Sequence, residues 1–203
     1  MSDTKYICVL DFEANCGLNM KELKMDNEVI EFPSVLWKYE EGAMVKISEF
    51  QLFCKPKHTP VLTQFCKDLT KITQEQVDAG VSFPVAFKQH EMWLRLHVPD
   101  FDNMVHSNSI LLVTYGEWDM ATMAPKEYRN YNMKDIHSFY LKYCNVKTDY
   151  SKFYKHGKKF GMATTLEYLN IPLEGTHHSG IDDSRNISKI LIRMFDDGTS
   201  FLL

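Results

Sequence analysis

Two acidic side chains stand two positions apart where an apolar segment ends. The stretch VLDFEANC (residues 9–16) runs from apolar residues into Asp11, Phe12 and Glu13. In a β-strand, residues two apart point to the same face and lie about 7 Å apart along the chain. Like charges that close repel each other strongly in a buried site unless a cation lies between them. The pair therefore indicates either a solvated strand end or half of a metal site.

A third and a fourth acid stand at the ends of other predicted elements. Asp119 ends the stretch SILLVTYGEWD (residues 109–119), a short buried strand followed by a helix. Junctions of this kind are where α/β sheets bind ligands. Asp183 begins a helix whose apolar residues recur at i, i+3, i+4 and i+7. The alternative for either acid is a helix N-cap without a chemical role.

A histidine stands five residues before the last of these acids. His178 lies on a glycine-containing loop that leads into Asp183, and its alternative is a surface histidine. Carboxylates at the ends of elements together with an imidazole match phosphodiester hydrolysis with two divalent cations about 3.5–4 Å apart. Oxygen ligands suit Mg²⁺ or Mn²⁺, and an imidazole with a pKa near neutrality can take a proton from water.

The elements around these residues predict an α/β protein. Residues 6–10 are nearly all apolar, as in a central strand that is buried on both faces. A hairpin is predicted from residues 29–39 and 45–55, and Pro33 in its first arm predicts a bulge or an edge strand. Helices are predicted as a short pair within 59–80, at 82–97, at 133–143, at 162–169 and from about 183 to 198. This order favours a mixed sheet covered by helices.

Size and composition favour a single globular domain over residues 1–203. A chain of 203 residues, 44% of them hydrophobic, can bury roughly 70% of its unfolded surface. No apolar stretch approaches the ~20 residues of a membrane span, and the N-terminus lacks the pattern of a secretory signal, so no membrane partner is expected. Five cysteines without a CxxC pair predict reduced thiols in a cytoplasmic protein, with the nucleus as the alternative.

The net charge of −4 gives the chain no overall basic footprint. Affinity for a nucleic acid would therefore have to be local, through a bound metal, a lysine cluster or stacking rings. The best basic cluster is YKHGKK (residues 154–159). It indicates either a guide for a phosphate backbone or a solvated loop.

Six blocks of sequence carry a family resemblance over nearly the whole chain. They are VLDFEANC, EFPSVLW, FQLFCKP, LTQFCKDLTKITQEQVDAG, TYGEWDM and HHSGIDDSRNISKILIRMFDDG. In this order they resemble the DEDDh-type 3′–5′ exonucleases of the ribonuclease-H-like superfamily, in the branch of the enhanced-RNAi and histone-mRNA 3′ exonucleases. The resemblance implies an α/β ribonuclease-H-like exonuclease fold, with a mixed central β-sheet covered by α-helices. It also implies metal-dependent hydrolysis of RNA from single-stranded or overhanging 3′ ends, which releases nucleoside 5′-monophosphates.

The resemblance also implies roles for individual residues. Asp11, Glu13, Asp119 and Asp183 would hold two Mg²⁺ (or Mn²⁺) ions, and His178 would be the general base. Asp11 would be shared between the two ions, whereas Asp119 would act through water.

One ambiguity of register arises at the fourth acid. His177 and Asp182 satisfy the same spacing one residue earlier. The family pattern puts the second acid at the metal, before a small residue such as Ser184. The helix pattern also favours Asp183, because it stands four residues before Ile187 and so lies on the predicted buried face. Asp182 is rotated away from that face by about 100°.

Four further positions match residues that contact the terminal nucleotides in the related enzymes. They are Ala14, Phe65, Leu69 and Trp118. Stacking of a base on an aromatic ring is worth about 1–3 kcal/mol and tolerates any sequence. The alternative for Phe65 and Leu69, which stand four apart, is a core pair.

The chain departs from its relatives at two positions. Asn15 stands where a threonine is common, and Lys71 where a glycine is common. Two other functions stay open on the same fold: a nuclease directed to DNA or to both nucleic acids, and a non-catalytic RNA-binding adaptor.

Overall fold

The computed structural model describes residues 5–17, 27–155 and 160–199. The strands are β1 (Lys5–Leu10), β2 (Glu13–Ala14), β3 (Val29–Glu40), β4 (Ala43–Phe53), β5 (Ile110–Thr114) and β6 (Cys144–Asn145). The α-helices are α1 (Gln64–Thr70), α2 (Gln74–Asp78), α3 (Phe83–His97), α4 (Phe101–His106), α5 (Ala124–Asn130), α6 (Val146–Phe153), α7 (Met162–Tyr168) and α8 (Gly180–Asp196). A π-helical turn (Trp118–Met123) precedes α5, and a 3₁₀ turn (Ser138–Leu141) precedes β6.

The sheet is mixed, with β1 inside it. Strand β1 pairs antiparallel with β3 and parallel with β5, and β6 extends the sheet in parallel from β5. The short β2 pairs with the same strand β3 further along, and β4 pairs with the other side of β3. Helices cover this sheet, so the predicted fold class is confirmed.

Side chains of β1 alternate between two cores. Cys8 and Leu10 join a core that includes Leu94 of α3, whereas Ile7 and Val9 join a core that includes Ile190 of α8. Successive side chains of a strand point to opposite faces. A strand covered on both faces must be apolar throughout, which is why residues 6–10 carry no alternation of apolar and polar types.

Pro33 forms neither a bulge nor an edge, so that prediction is wrong. Strand β3 is internal, and its register shift lies between Leu36 and Trp37. Pairing of β3 with β1 ends at Ser34, and pairing with β2 is registered at Glu31. Pro33 therefore lies where β3 changes partner, an interruption of the ladder that tolerates a residue without an N–H group.

Five predicted helices are confirmed: the short pair α1 and α2, and the helices α3, α7 and α8. The helix predicted for 133–143 is wrong. In that stretch the 3₁₀ turn is the one helical segment. Adjacent residues of the turn, Phe139 and Tyr140, are both buried, and packing against the core outweighs the local helical pattern. Helices α4 and α6 were not predicted, whereas the helix expected after Asp119 forms as the π-helical turn followed by α5. In the described parts of the chain, no helix combines the length and the apolar character that crossing a bilayer requires.

A fully buried histidine joins the sheet to α3 and the 3₁₀ turn. His90 contacts the Tyr140 hydroxyl through Nδ1 at 2.7 Å and the Ser34 hydroxyl through Nε2 at 2.9 Å. Its ring stacks on Phe32 at a centroid distance of 4.7 Å. Burial lowers the pKa of His90 to about 3, so the imidazole is neutral in the folded protein at physiological pH.

Acidification is expected to destabilise the fold through His90. The pKa of this group is 6.5 when unshifted and about 3 when folded, so between these values the unfolded chain binds more protons. The contribution of His90 to the free energy of unfolding is fully present above about pH 6.5 and falls by up to ~1.4 kcal/mol per pH unit below it. Urea denaturation in EDTA from pH 7.5 to 5 should therefore show a shallower pH dependence for His90→Asn. Equal slopes for both proteins would contradict this.

Candidate active site

A cleft of about 360 Å³ opens at the ends of two neighbouring strands. Strands β1 and β5 are parallel, so their carboxyl ends reach the same edge of the sheet, where α/β proteins bind ligands. The residues that line the cleft are Asp11, Phe12, Glu13, Tyr115, Trp118, Asp119, Met162, His177, His178, Asp183 and Ile187. The four predicted acids and both histidines thus share one cleft.

Three of the acids converge most closely. One carboxylate oxygen from each of Asp11, Glu13 and Asp183 lies within 4.8 Å of the other two. Asp119 lies beside them, because its Oδ1 accepts a hydrogen bond of 2.8 Å from the backbone N–H of Phe12, between the first two acids. The result is a compact anionic cluster assembled from β1, β2, α8 and the π-helical turn.

The π-helical turn sets the position of Asp119. Met120 and Met123 of the turn are buried, and Asp119 is only 4% exposed. Trp118 is 42% exposed and borders the cleft. Single π-helical turns are rare and are frequent at functional sites. No periodicity in the sequence indicated this turn.

The carboxylate of Asp183 has one satisfied and one unsatisfied oxygen. Its Oδ2 accepts a hydrogen bond of 2.9 Å from the backbone N–H of His178. Its Oδ1 is buried and finds no hydrogen-bond donor among the described residues. Buried polar atoms in proteins nearly always have a partner, and a bound ion can fill that role where no donor does. An oxygen in this state, beside two other carboxylates, fits a ligand of a divalent cation.

The neighbouring acid, Asp182, has a different environment. It accepts hydrogen bonds from the backbone N–H of Thr176 at 2.9 Å and from Arg185 Nη1 at 2.7 Å. Arg185 in turn donates to both carboxylate oxygens of Glu49 on β4. Asp182 therefore holds the loop before α8 to the sheet, and it does not line the cleft.

His177 and His178 both line the cleft, whereas of Asp182 and Asp183 only Asp183 does. The geometry therefore chooses between the two acids but not between the two histidines. Their rings are stacked, with centroids 4.0 Å apart, and Nε2 of His177 lies 3.9 Å from Oδ2 of Asp183. His177 is exposed, whereas His178 is half-buried and has a left-handed φ of 69°. Partial burial and the adjacent His177 lower the pKa of His178, which favours the neutral imidazole. The choice of His178 stays a prediction.

Burial raises the pKa of every acid in the cluster, and neighbouring negative charges raise it further at Asp11, Glu13 and Asp183. Burial is the largest cause at Asp11, followed by the charges of Asp119 and Asp183. The pKa of Glu13 rises to about 9, that of Asp183 to about 7, and that of Asp119 to about 6. At Asp119 the hydrogen bond from Phe12 limits the rise. The ionised cluster is therefore unfavourable until a positive charge offsets it.

Glu31 on β3, whose role no sequence pattern predicted, binds the start of α8. It accepts hydrogen bonds from the backbone N–H groups of Gly180 (3.0 Å) and Ile181 (3.2 Å) and from Gln51 Nε2 (2.8 Å). Glu31 is also the β3 partner of Glu13 in the sheet. The one signal in the sequence is an ionisable residue within the otherwise apolar run VIEFPSVLW, because such residues are rarely buried without a partner.

Gly180 lets α8 begin unusually close to the end of β1. A β-carbon at this position would lie 2.7 Å from the carbonyl oxygen of Asp11 and 2.8 Å from Cγ of Pro33. Only a residue without a side chain fits this approach. Since Asp183 follows Gly180 by one helical turn, the contact sets how near Asp183 comes to Asp11.

The four predicted nucleotide contacts lie in two places. Trp118 borders the cleft, and Ala14 is buried in β2 next to Glu13. Phe65 and Leu69 are half-buried on α1 and do not line the cleft itself. Their role in binding a nucleotide stays a prediction.

The two positions that depart from the family pattern have local roles. The side chain of Asn15 accepts a hydrogen bond from the backbone N–H of Glu28 and donates one to the carbonyl oxygen of Thr59. Lys71 has a left-handed φ of 61°, which explains why glycine suits its position, and its ammonium group donates to the carbonyl oxygen of Asp68. Residues 156–159 of the basic cluster YKHGKK lie outside the described residues.

Comparisons with known proteins identify the family. The family model RNase_T, described as Exonuclease, matches residues 8–191. "ERI1 exoribonuclease 2" of Xenopus laevis is 33% identical over 96% of this chain and 29% of its own length. "3′-5′ exoribonuclease 1" of Mus musculus is 34% identical over 95% of this chain and 54% of its own length. The chain thus spans about half or less of these two relatives.

A solved structure agrees with the sequence comparisons. The nuclease domain of 3′hExo, a DEDDh family member bound to rAMP, superposes with a TM-score of 0.84 at 33% identity, covering 96% of this chain and 93% of that one. The fold is that of a DEDDh nuclease domain. The chain belongs to the Exonuclease (RNase_T) family, in the branch of the ERI1 3′–5′ exonucleases.

Asp11→Asn is expected to preserve the fold and to raise the temperature of unfolding in EDTA. The change removes a negative charge from the centre of a buried anionic cluster. Saturating Mn²⁺ should stabilise the wild type, by about 2.7 kcal/mol at a hundred times its dissociation constant, and should stabilise the variant far less. Calorimetry with and without Mn²⁺ measures both effects.

Asp182→Asn is the matched control for this experiment. Its carboxylate lies outside the cleft, so the shift that Mn²⁺ causes should stay at the wild-type value even if the starting stability drops. An Asp11→Asn protein with a lower temperature of unfolding than the wild type in EDTA would contradict the prediction. It would show that charge repulsion at Asp11 does not dominate the stability of the cluster.

Proposed function

We propose that this protein is a metal-dependent 3′–5′ exonuclease that acts on RNA and releases nucleoside 5′-monophosphates. The observation that carries the proposal is the unsatisfied buried Oδ1 of Asp183 within a cluster that also contains Asp11 and Glu13. The preference for RNA is supported by the exoribonuclease relatives and by the likeness to a nuclease domain bound to rAMP.

The donor set fits magnesium or manganese. Asp11, Glu13, Asp119 and Asp183 would hold the metal, and all of them offer hard carboxylate oxygens. Two bound divalent ions would stabilise the charge that develops on the attacking and leaving oxygens during phosphodiester hydrolysis. Within the described parts of the chain, no lysine or arginine lines the cleft, so its charge favours a cation.

The imidazole of His178 acts on the proton of the attacking water. Its lowered pKa keeps the ring neutral near pH 7, so it can accept that proton. The hydrogen bond from its backbone N–H to Asp183 holds its loop against the acidic cluster. The water oxygen bonds to the terminal phosphorus while the bond from phosphorus to the 3′ oxygen of the preceding nucleotide breaks. The products are a nucleoside 5′-monophosphate and a new 3′-hydroxyl.

The shape of the site favours an unpaired 3′ end. The exposed ring of Trp118 stands at the cleft beside Asp119, where a terminal base can stack on it. Phe65 and Leu69 on α1 are half-buried and apolar, so they can pack against the terminal nucleotides next to the base on Trp118. A double-stranded end would have to fray before its last nucleotide entered a cleft of about 360 Å³.

Asp183→Asn is expected to lower the rate of RNA shortening by at least about a hundredfold. Loss of an outer-shell partner alone costs 10–100-fold in metal sites, and Asp183 lies in the cluster itself. The measurement uses 5′-labelled single-stranded RNA in Mg²⁺, Mn²⁺ or EDTA, and expects a metal-dependent ladder that shortens from the 3′ end. Asp182→Asn should retain most of the activity.

The same assay separates the competing functions. RNA bound in a gel shift but never shortened would indicate an adaptor and overturn the proposal. Single-stranded DNA of the same sequence, degraded faster than the RNA, would indicate a DNA-directed nuclease. A duplex with a 3′ overhang should be trimmed up to the paired region and slow down there.

His178→Ala is expected to cost several hundredfold in rate, whereas His177→Ala should cost little. General acid–base catalysis contributes about 10²–10⁴-fold, and the half-buried ring of His178 is the better placed to be neutral. Single-turnover rates at saturating Mg²⁺ measure both variants. The reverse order would assign the general base to His177, whose Nε2 also lies near Asp183.

A further inference from the structure

Two cysteines from distant parts of the chain meet beside the site. The Thr63 hydroxyl donates to the carbonyl oxygen of Cys16 (2.6 Å) and accepts from the backbone N–H of Cys66 (3.0 Å). One side chain thus ties both residues together. Cys66 also belongs to a small buried cluster with Ile30, Leu62, Ile72 and Val77, and Cys16 packs against that cluster.

The sulfur of Cys66 points at the segment that carries Cys16. Its Sγ lies 3.8 Å from the carbonyl oxygen of Ala14. The side chain and the backbone of Cys16 both hydrogen-bond the Cys66 thiol, and the side-chain bond is the main reason that the pKa of Cys66 falls to about 7 despite burial. The pKa values of Cys8 and Cys144 rise instead, to about 12 and about 11, because of burial.

The two thiols differ in access to solvent. Cys16 is half-buried, whereas Cys66 is fully buried. An oxidant from solution therefore meets Cys16 first, with Cys66 adjacent as a second thiol. A pair consisting of an accessible cysteine and a resolving neighbour is the arrangement found in redox-sensitive sites.

We propose that Cys16 and Cys66 form a redox-modification site, in which a hydroperoxide converts the two thiols to a disulfide that lowers nuclease activity. The Cys16 thiol gives up its proton and its sulfur attacks one oxygen of the peroxide; the O–O bond breaks, a sulfenic acid forms, and the hydroxide that leaves takes up a proton and departs as water when the oxidant is hydrogen peroxide. The thiolate of Cys66 then attacks the Cys16 sulfur, the S–S bond forms, and the hydroxyl leaves as water with a proton from the medium. Two thiols lose two electrons, and one peroxide gains them.

The consequence for catalysis rests on the proposed function. Cys16 follows Ala14 by two residues, and Cys66 is adjacent to Phe65, so the new bond would join the segments of two predicted nucleotide contacts. Two cysteine side chains joined by a hydrogen bond must move closer to reach the S–S distance of about 2.05 Å. A misplacement of about 1 Å near reacting groups costs up to 10²-fold, so we expect kcat/KM for RNA to fall roughly tenfold, with reversal by dithiothreitol.

The test treats the full chain with graded hydrogen peroxide, blocks the remaining thiols by alkylation, and maps disulfide-linked peptides by mass spectrometry. A peptide joining Cys16 to Cys66, lost on reduction, is the expected result. Cys16→Ser should prevent both the link and the loss of activity, and Cys66→Ser should leave Cys16 as a sulfenic acid. Cys144→Ser, at another half-buried cysteine, should behave as the wild type.

Overoxidation of Cys16 without any link to Cys66 would overturn the proposal, and so would an unchanged kcat/KM in a protein shown to carry the link. Peptide mapping does not depend on RNA cleavage. A protein that forms the disulfide but never shortens RNA would therefore remove the proposed nuclease function and the regulatory role, while retaining the redox site.

Discussion

Repulsion between buried carboxylates is the constraint on which this structure depends. Oxygens of Asp11, Glu13 and Asp183 lie within 4.8 Å of one another, and burial, together with neighbouring negative charges, raises the pKa of each. Such a cluster is costly until a cation is bound, so it persists only where the surrounding fold holds it. The two cores on the faces of β1 supply that support, because they fix the strand from which Asp11 and Glu13 extend.

Backbone amides, not basic side chains, hold the acids in place. The N–H of Phe12 binds Asp119, the N–H of His178 binds Asp183, and the first amides of α8 bind Glu31. Amides orient a carboxylate without supplying a full positive charge, so its oxygens stay available to a divalent ion. Arg185, which would cancel that charge, is directed instead to Glu49 and Asp182, outside the cleft. The ion pairs that hold the loop before α8 therefore do not neutralise the acids of the cleft.

Local pattern predicted the elements that are periodic and failed where long-range contacts decide the backbone. The long amphipathic helices and the hairpin followed from their apolar spacing. The 3₁₀ turn at Ser138–Leu141 and the partner change at Pro33 depend on residues far along the chain, such as His90 and the ends of β1 and β2. The role of Glu31 was not predicted because its partners, the amides of Gly180 and Ile181, are about 150 positions away.

The sequence by itself determined the fold class, the family and the identity of the acids, because buried strands, helix periodicity and motif blocks are local properties of the chain. Only the tertiary structure decided that Arg185 joins Asp182 to Glu49, that both histidines reach the same carboxylate, and that Cys16 meets Cys66. Each of these depends on a rotation of about 100° per helical residue or on a close approach between distant segments. Distances of a few ångströms between such segments are set by packing, and no local pattern encodes them.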